Sequence, residues 1–180
     1  NPNSGWFHQA KPDDFKQIPG SPIAYWVSKN IRRAFSQGRP LSEFAALQPG
    51  LQTSNNSMFV RCWHEVSHEN IGFSMASSND ACASGLRWFP YNKGGDYRLW
   101  YGNNEYVVDW QENGKRIKEY VTKKYPYLNG NIDYVVKDRG KYFLPSVTWS
   151  FVSSAYFGVR RSEPGFVFDV AGSSAFPKED

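Results

Sequence analysis

The sequence predicts an α+β fold, a mixed and mostly antiparallel sheet with a few helices. Three observations carry that expectation. One stretch near the N-terminus spaces its apolar residues as a helix does, whereas from Met58 onward short alternating runs take over, separated by turns rich in Gly and Asn. The gaps between those runs are too short for βαβ crossovers, so neighbouring strands must run mostly antiparallel. Apolar residues are 40% of the 180 positions and charged residues 21%, which permits a buried core and excludes global disorder.

Taken in order, residues 1–20 contain Pro2, Pro12, Pro19 and Gly20 and read as an irregular linker or arm, with residues 21–180 forming the domain. Ser21 is placed to cap a helix, Pro22 suits its first position, and Gly38 ends it ahead of Pro40. Ile23, Trp26, Val27, Ile31, Ala34 and Phe35 form its apolar stripe, leaving Lys29, Arg32 and Arg33 toward solvent. A short helix is expected over Ser42–Leu47. Strands are expected over Met58–Val66, Leu86–Tyr91 and Glu105–Trp110, joined by the turns Asn92–Gly95 and Gln111–Gly114. Lys115–Tyr125 returns to helical spacing and stops at Pro126. Lys141–Val152, Tyr156–Arg160 and Phe166–Val170 read as further strands.

Composition narrows the function classes. Net charge is +4, spread over two stretches: residues 1–50 carry six basic and three acidic side chains, and 91–130 carry seven and five. This is a diffuse basic surface and not a polybasic tail. Aromatic residues reach 17%, more than an ordinary core needs, so some rings are expected at a surface that stacks on bases, sugars or another protein. No apolar run approaches the ~20 residues of a membrane span. Cys62 and Cys82 lack a CxxC spacing, which fits a reducing, cytoplasmic setting. The chain starts at Asn1 with no Met, which fits a removed tag, a mature end or an excised piece of something longer.

His64-Glu65-Val66-Ser67-His68 matches the pattern of zinc proteases, but that chemistry needs a helix and a third ligand. No downstream ligand pattern follows, so a zinc hydrolase stands only as a remote alternative and no metal is expected. Asn1-Pro2-Asn3-Ser4 partly matches the Asn-Pro-Pro-Tyr loop of amino methyltransferases, without the second Pro or the aromatic. No phosphate loop and no nucleophile elbow are present, so no catalytic residue is assigned.

Three segments read as contact surface. Gly50–Asn56 is a polar loop whose Thr53, Asn55 and Asn56 can meet base edges. Trp88–Gly102 is aromatic-rich, with Lys93 and Arg98 supplying charge and Gly94-Gly95 allowing close backbone approach to a phosphate. Lys115, Arg116, Lys118, Lys123 and Lys124 lie on one helix and can reach phosphates.

Trp88-Phe89-Pro90-Tyr91-Asn92-Lys93-Gly94-Gly95, followed by Arg98–Asn103 and Glu105–Trp110, resembles the adenine-specific DNA methyltransferases of BREX phage-defence systems and related bifunctional restriction–modification enzymes. Ile23–Trp26, Gly50–Thr53, Thr148–Ser150, Phe166–Asp169 and Gly172–Ser174 extend the resemblance across most of the chain from about Phe15. It implies the target-recognition region of such an enzyme, without the domain that binds S-adenosylmethionine and carries catalysis. It further implies double-stranded DNA as partner, with the missing methyltransferase domain and other phage-defence proteins as further partners, and no cofactor in this region. Ser54 stands where the family often has Gly. On this reading Thr53, Asn55 and Asn56 lie at or near bases, and Lys93, Arg98, Lys115, Lys118, Lys123 and Lys124 lie on phosphates. Arg160 and Arg161 are further candidates, of which strand alternation permits only one to read a base. The alternative of another class is a carbohydrate- or protein-binding module that uses exposed Trp and Tyr.

Overall fold

A computed structural model describes residues 9–153 and 156–178; Asn1-Pro2-Asn3-Ser4 lies outside the described residues. The chain divides into two compact units, residues 1–44 and 45–180.

In the first unit, α1 (Pro12–Phe15) is a single turn and α2 (Lys29–Gln37) is the main helix. The Ser28 hydroxyl caps α2 by accepting from the Ile31 N–H at 3.3 Å, and the Gly38 N–H closes it on the Ala34 carbonyl at 2.8 Å. The helix thus ends where the sequence places its stop but begins seven residues after Ser21. Gly20 and Ser21 both adopt positive φ, +84° and +47°, away from the extended conformation a helix-capping Ser takes, and the chain turns through Ala24 and Val27 first. Arg32, expected toward solvent, is instead mostly covered beside Asp14, at 3.5 Å. Ile23, Trp26, Ile31 and Phe35 of the expected stripe are exposed.

The second unit holds two four-stranded sheets where one was expected. In chain order its elements are β1 (Ala45–Gln48), α3 (Asn56–Phe59), β2 (Val60–Cys62), α4 (Ser78–Ala83), β3 (Trp88–Asn92), β4 (Tyr106–Asp109), α5 (Gln111–Lys124), α6 (Asp133–Val136), β5 (Ser146–Trp149), β6 (Val159–Ser162), β7 (Val167–Phe168) and β8 (Ser174–Pro177). One sheet runs β1-β8-β5-β6, antiparallel throughout. The other runs β2-β4-β3-β7, with only the β3–β7 pair parallel. The α+β, mostly antiparallel character is as the sequence predicts.

Departures from the predicted elements have local causes. The helix expected over Ser42–Leu47 is a 3-10 turn at Leu41–Glu43 followed by β1, because Ala45–Gln48 finds a pairing partner in the distant β8. The strand expected over Met58–Val66 breaks up. Asn55 caps the one-turn α3, and only Val60–Cys62 pairs with β4. The Glu65 carboxylate then accepts from the Cys62 N–H at 2.6 Å and turns the chain away. His64 and His68 consequently sit in two separate 3-10 turns divided by extended residues, not on one α-helical face.

The expected turn at Gln111–Gly114 opens α5 with three left-handed residues, Glu112, Asn113 and Gly114. Gly114 is required there: a Cβ would lie 2.5 Å from the Trp110 ring. Much of the aromatic content is absorbed in the core over the second sheet. Phe59, Phe89, Tyr91, Trp110, Tyr142, Phe143 and Phe168 pack against Ile117 and Val121 of α5, with edge-to-face contacts such as Trp110–Tyr142 at 5.1 Å.

Candidate functional site

The loop after β1 is built by its neighbours before its own side chains matter. Leu51 is stitched to the end of β7: its N–H donates to the Phe168 carbonyl at 2.7 Å, and its carbonyl accepts from Val170 at 3.1 Å. The Gln52 N–H donates to Val135 at 3.0 Å. Thr53 is only 2% exposed and donates its hydroxyl to Asn56 Oδ1 at 2.6 Å, so it shapes the loop and does not face outward. Ser54 has φ of +61°, the left-handed conformation that Gly adopts freely, so the loop keeps a glycine-type backbone without the glycine.

Asn55 works hardest inside the loop. Its Oδ1 accepts from the Met58 N–H at 3.3 Å and the Ser57 hydroxyl at 2.8 Å, and its Nδ2 donates to the Tyr120 hydroxyl at 3.2 Å. Gln52 and Asn56 are the exposed amides. Lys124 closes the construction by donating to the Ser54 carbonyl at 2.7 Å.

Lys93 joins this loop in an open cleft of about 320 Å³ lined by Gln52–Asn56, Lys93, Asp169 and Val170. Asp169 anchors the floor. Its Oδ2 accepts from the buried Tyr91 hydroxyl at 2.6 Å and stands 3.6 Å from the Lys93 ammonium, while its Oδ1 accepts from the Ala171 N–H at 2.7 Å. Burial first, and the Asp169 charge second, hold the Tyr91 hydroxyl well above its ordinary pKa of 10.0. At the end of α6, partial burial pushes the Lys137 ammonium down, with Asp169 opposing the shift.

Gly94 has φ of +77°, and a Cβ there would meet the Ala171 carbonyl at 2.5 Å. Being buried, it makes its close approach to the chain's own backbone and not to an external phosphate; Gly95 stays exposed.

The remaining cations differ in what already holds them. Arg98 is exposed and donates to the Tyr97 carbonyl at 3.2 Å. On α5, Lys115 pairs with Glu112 at 3.0 Å, and that hydrogen bond raises its pKa. Lys118 lies 5.4 Å from the Trp110 ring centroid. Lys123 is exposed, while Lys124 is about half a turn around the helix from Lys115, on the loop side. Arg116 keeps 42% of its side chain exposed and, with Arg87, pairs with the buried Asp109 at the end of β4.

Arg160 and Arg161 point to opposite faces, as strand alternation requires. Arg160 is 3% exposed and donates to the Ser150 hydroxyl at 3.4 Å. Burial lowers its pKa. An enclosed guanidinium cannot reach a base edge, so Arg160 leaves the set of candidate readers. Arg161 keeps 76% of its side chain exposed and pairs with Glu163 at 3.0 Å.

Sequence reasoning missed Tyr91, Asp109 and Asp169 as organisers. Asp109 carried a usable signal, since a carboxylate set between Val108 and Trp110 in an apolar strand must be paired to be buried.

The chain is 39% identical over 182 aligned positions to the adenine-specific methyltransferase PglX of Lacticaseibacillus casei (strain Zhang), covering 99% of this chain and 14% of that protein. It is 33% identical over 172 positions to the adenine-specific methyltransferase BrxX of Escherichia coli O9:H4 (strain HS), covering 94% and 12%. This chain is homologous to a segment of those methyltransferases. It spans about one-seventh of the length of the curated relatives it matches. No family model matches it. Among the described residues, no helix is long and apolar enough to cross a membrane, and no group of three or more His, Cys, Asp and Glu is placed to hold a metal ion.

Proposed function

We propose that this chain is the DNA target-recognition part of an S-adenosylmethionine-dependent, adenine-specific methyltransferase of the BREX or restriction–modification type, acting in the cytoplasm. Catalysis and cofactor binding belong to another part of such an enzyme, which would methylate an adenine flipped from the duplex. The observation that carries the reading is the cleft in which a stiffened polar loop and Lys93 meet, in a segment homologous to adenine-specific methyltransferases.

In this arrangement Asn56 and Gln52 face base edges, and Asn55 and Thr53 hold the loop in register. Lys93, Arg98, Lys115, Lys118 and Lys123 meet phosphates, with Lys124 clamping the loop. A pre-stiffened loop suits readout because the ordering cost is met by folding, not by binding. The test is duplex binding by the 180-residue chain over a salt series. The logarithm of affinity is expected to fall by about 0.9 per phosphate contact for each tenfold rise in salt. Binding that is absent, or indifferent to salt, overturns the proposal.

The exposed rings of Trp100, Tyr101, Phe151, Tyr156 and Phe157 favour a second reading, a carbohydrate- or protein-binding module. Glycan-array binding insensitive to salt would select it.

A further inference from the structure

Away from the Thr53 loop, the second unit forms an open-mouthed cavity of about 440 Å³ with several aromatic rings in its walls. Trp63, Phe73 and Tyr101 line it yet stay 50%, 44% and 70% exposed, so their faces retain stacking area that the fold does not use. Beside His68, Ser74 and Ser162, the same cavity is lined by three polar side chains of complementary kind. Arg161 offers only donors, Glu163 only acceptors, and Asn104 offers both. Arg161 and Glu163 neutralise each other at 3.0 Å, but with both side chains largely exposed the pair is readily exchanged for contacts to a ligand.

We propose that this cavity is a subsite for a single nucleobase displaced from the duplex stack. The inference rests on the DNA-recognition reading and extends it to a second place on the chain. A cavity this size is ample for one heterocycle, and flat rings on its walls supply sequence-tolerant stacking. A base edge presents ring-nitrogen or carbonyl acceptors beside an exocyclic amine donor, which the guanidinium, the carboxylate and the amide answer. A phosphate alone would leave the rings unused and would be repelled by Glu163. An apolar protein side chain would leave Asn104, Arg161, Glu163 and the neighbouring His68 unanswered.

The experiment compares two otherwise identical DNA duplexes, one fully paired and one carrying a single unpaired 2-aminopurine, titrated into the 180-residue chain. The unpaired duplex is expected to bind at least five-fold tighter, with the 2-aminopurine emission quenched on binding. Tyr101→Ala and Trp63→Ala are each expected to bring the affinity ratio toward one and restore the emission. Circular dichroism confirms that each variant is folded. A ratio of one in the unaltered chain, or a ratio untouched by both substitutions, overturns the subsite while the duplex reading stands. Binding of the unpaired duplex alone supports the subsite and overturns the duplex reading. Binding of neither overturns both.

Discussion

The Thr53–Asn56 loop, with its hydroxyls and amides, and the outer face of α5, with its lysines, are both polar but differ in how far the protein itself engages them. In the loop nearly every polar group is engaged by the protein itself: Thr53 with Asn56, Asn55 with Met58, Ser57 and Tyr120, and the Ser54 carbonyl with Lys124. On the helix, Lys115 pairs only with its exposed neighbour Glu112, and Lys123 stands at the surface. Order is what a base reader needs, because hydrogen-bond readout is geometric. Phosphate contact needs only charge that can shift to meet its target. Lys124 belongs to the helix by sequence and is tied to the loop by its hydrogen bond to the Ser54 carbonyl.

The largest expected effect breaks the base of the helix. Asp109→Ala leaves Arg87 and Arg116 without their shared carboxylate and is expected to lower stability by about 2–3 kcal/mol, read from urea denaturation. Both arginines are partly exposed, so the loss falls short of that for a fully buried pair. Next is the floor of the cleft. Tyr91→Phe removes the hydrogen bond to Asp169 and is expected to cost about 1–2 kcal/mol.

The same residue sets a pH dependence. Because the folded pKa of Tyr91 lies above the unfolded value of 10.0, its stabilising contribution is complete below that pH and is lost as pH rises through the folded pKa. A denaturation series above pH 10 should therefore fall less steeply for Tyr91→Phe than for the unaltered chain. The similarly buried Tyr142, whose hydroxyl burial also holds well above 10.0, contributes to the part that persists.

Two smaller effects separate loop from helix. Asn55→Ala should lower stability by about 1 kcal/mol through the lost cap of α3, and Asn56→Ala by a similar amount, about 1 kcal/mol, because it leaves the buried Thr53 hydroxyl without its acceptor. If Asn56 reads a base, its removal relaxes discrimination between duplex sequences by ~1–3 kcal/mol. Lys123→Ala should leave stability within about 0.5 kcal/mol. It should also reduce the salt slope of duplex binding by about 1, equally on all sequences.

Legibility followed range. β3, β4 and the straight part of α5 were visible because their apolar residues repeat within a few positions and their ends carry Gly, Asn or Pro. β1 and β8 were not visible. Ala45–Gln48 has no alternation of its own and becomes a strand only by pairing with Ser174–Pro177, 129 positions later. The start of α2 was misplaced because Ser21 and Ser28 are equally good caps on paper, and the left-handed turn at Gly20-Ser21 decided between them.

Within the site, the sequence singled out the loop and Lys93 but could not tell support from exposure. Thr53 and Asn56 are three residues apart, yet one is buried and the other faces solvent.

By itself, the sequence determined the α+β class, the dispersed positive charge, the surplus of aromatic rings and the resemblance to adenine-specific methyltransferases. All of these are properties of composition, short-range period or residue order. Only tertiary structure decided which cations are already spoken for. Whether Arg160 or Arg161 stays in water, and whether Lys124 faces outward or back to Ser54, depends on burial and on partners far away in the chain, since a charge is held by whatever the fold brings within a few ångströms of it.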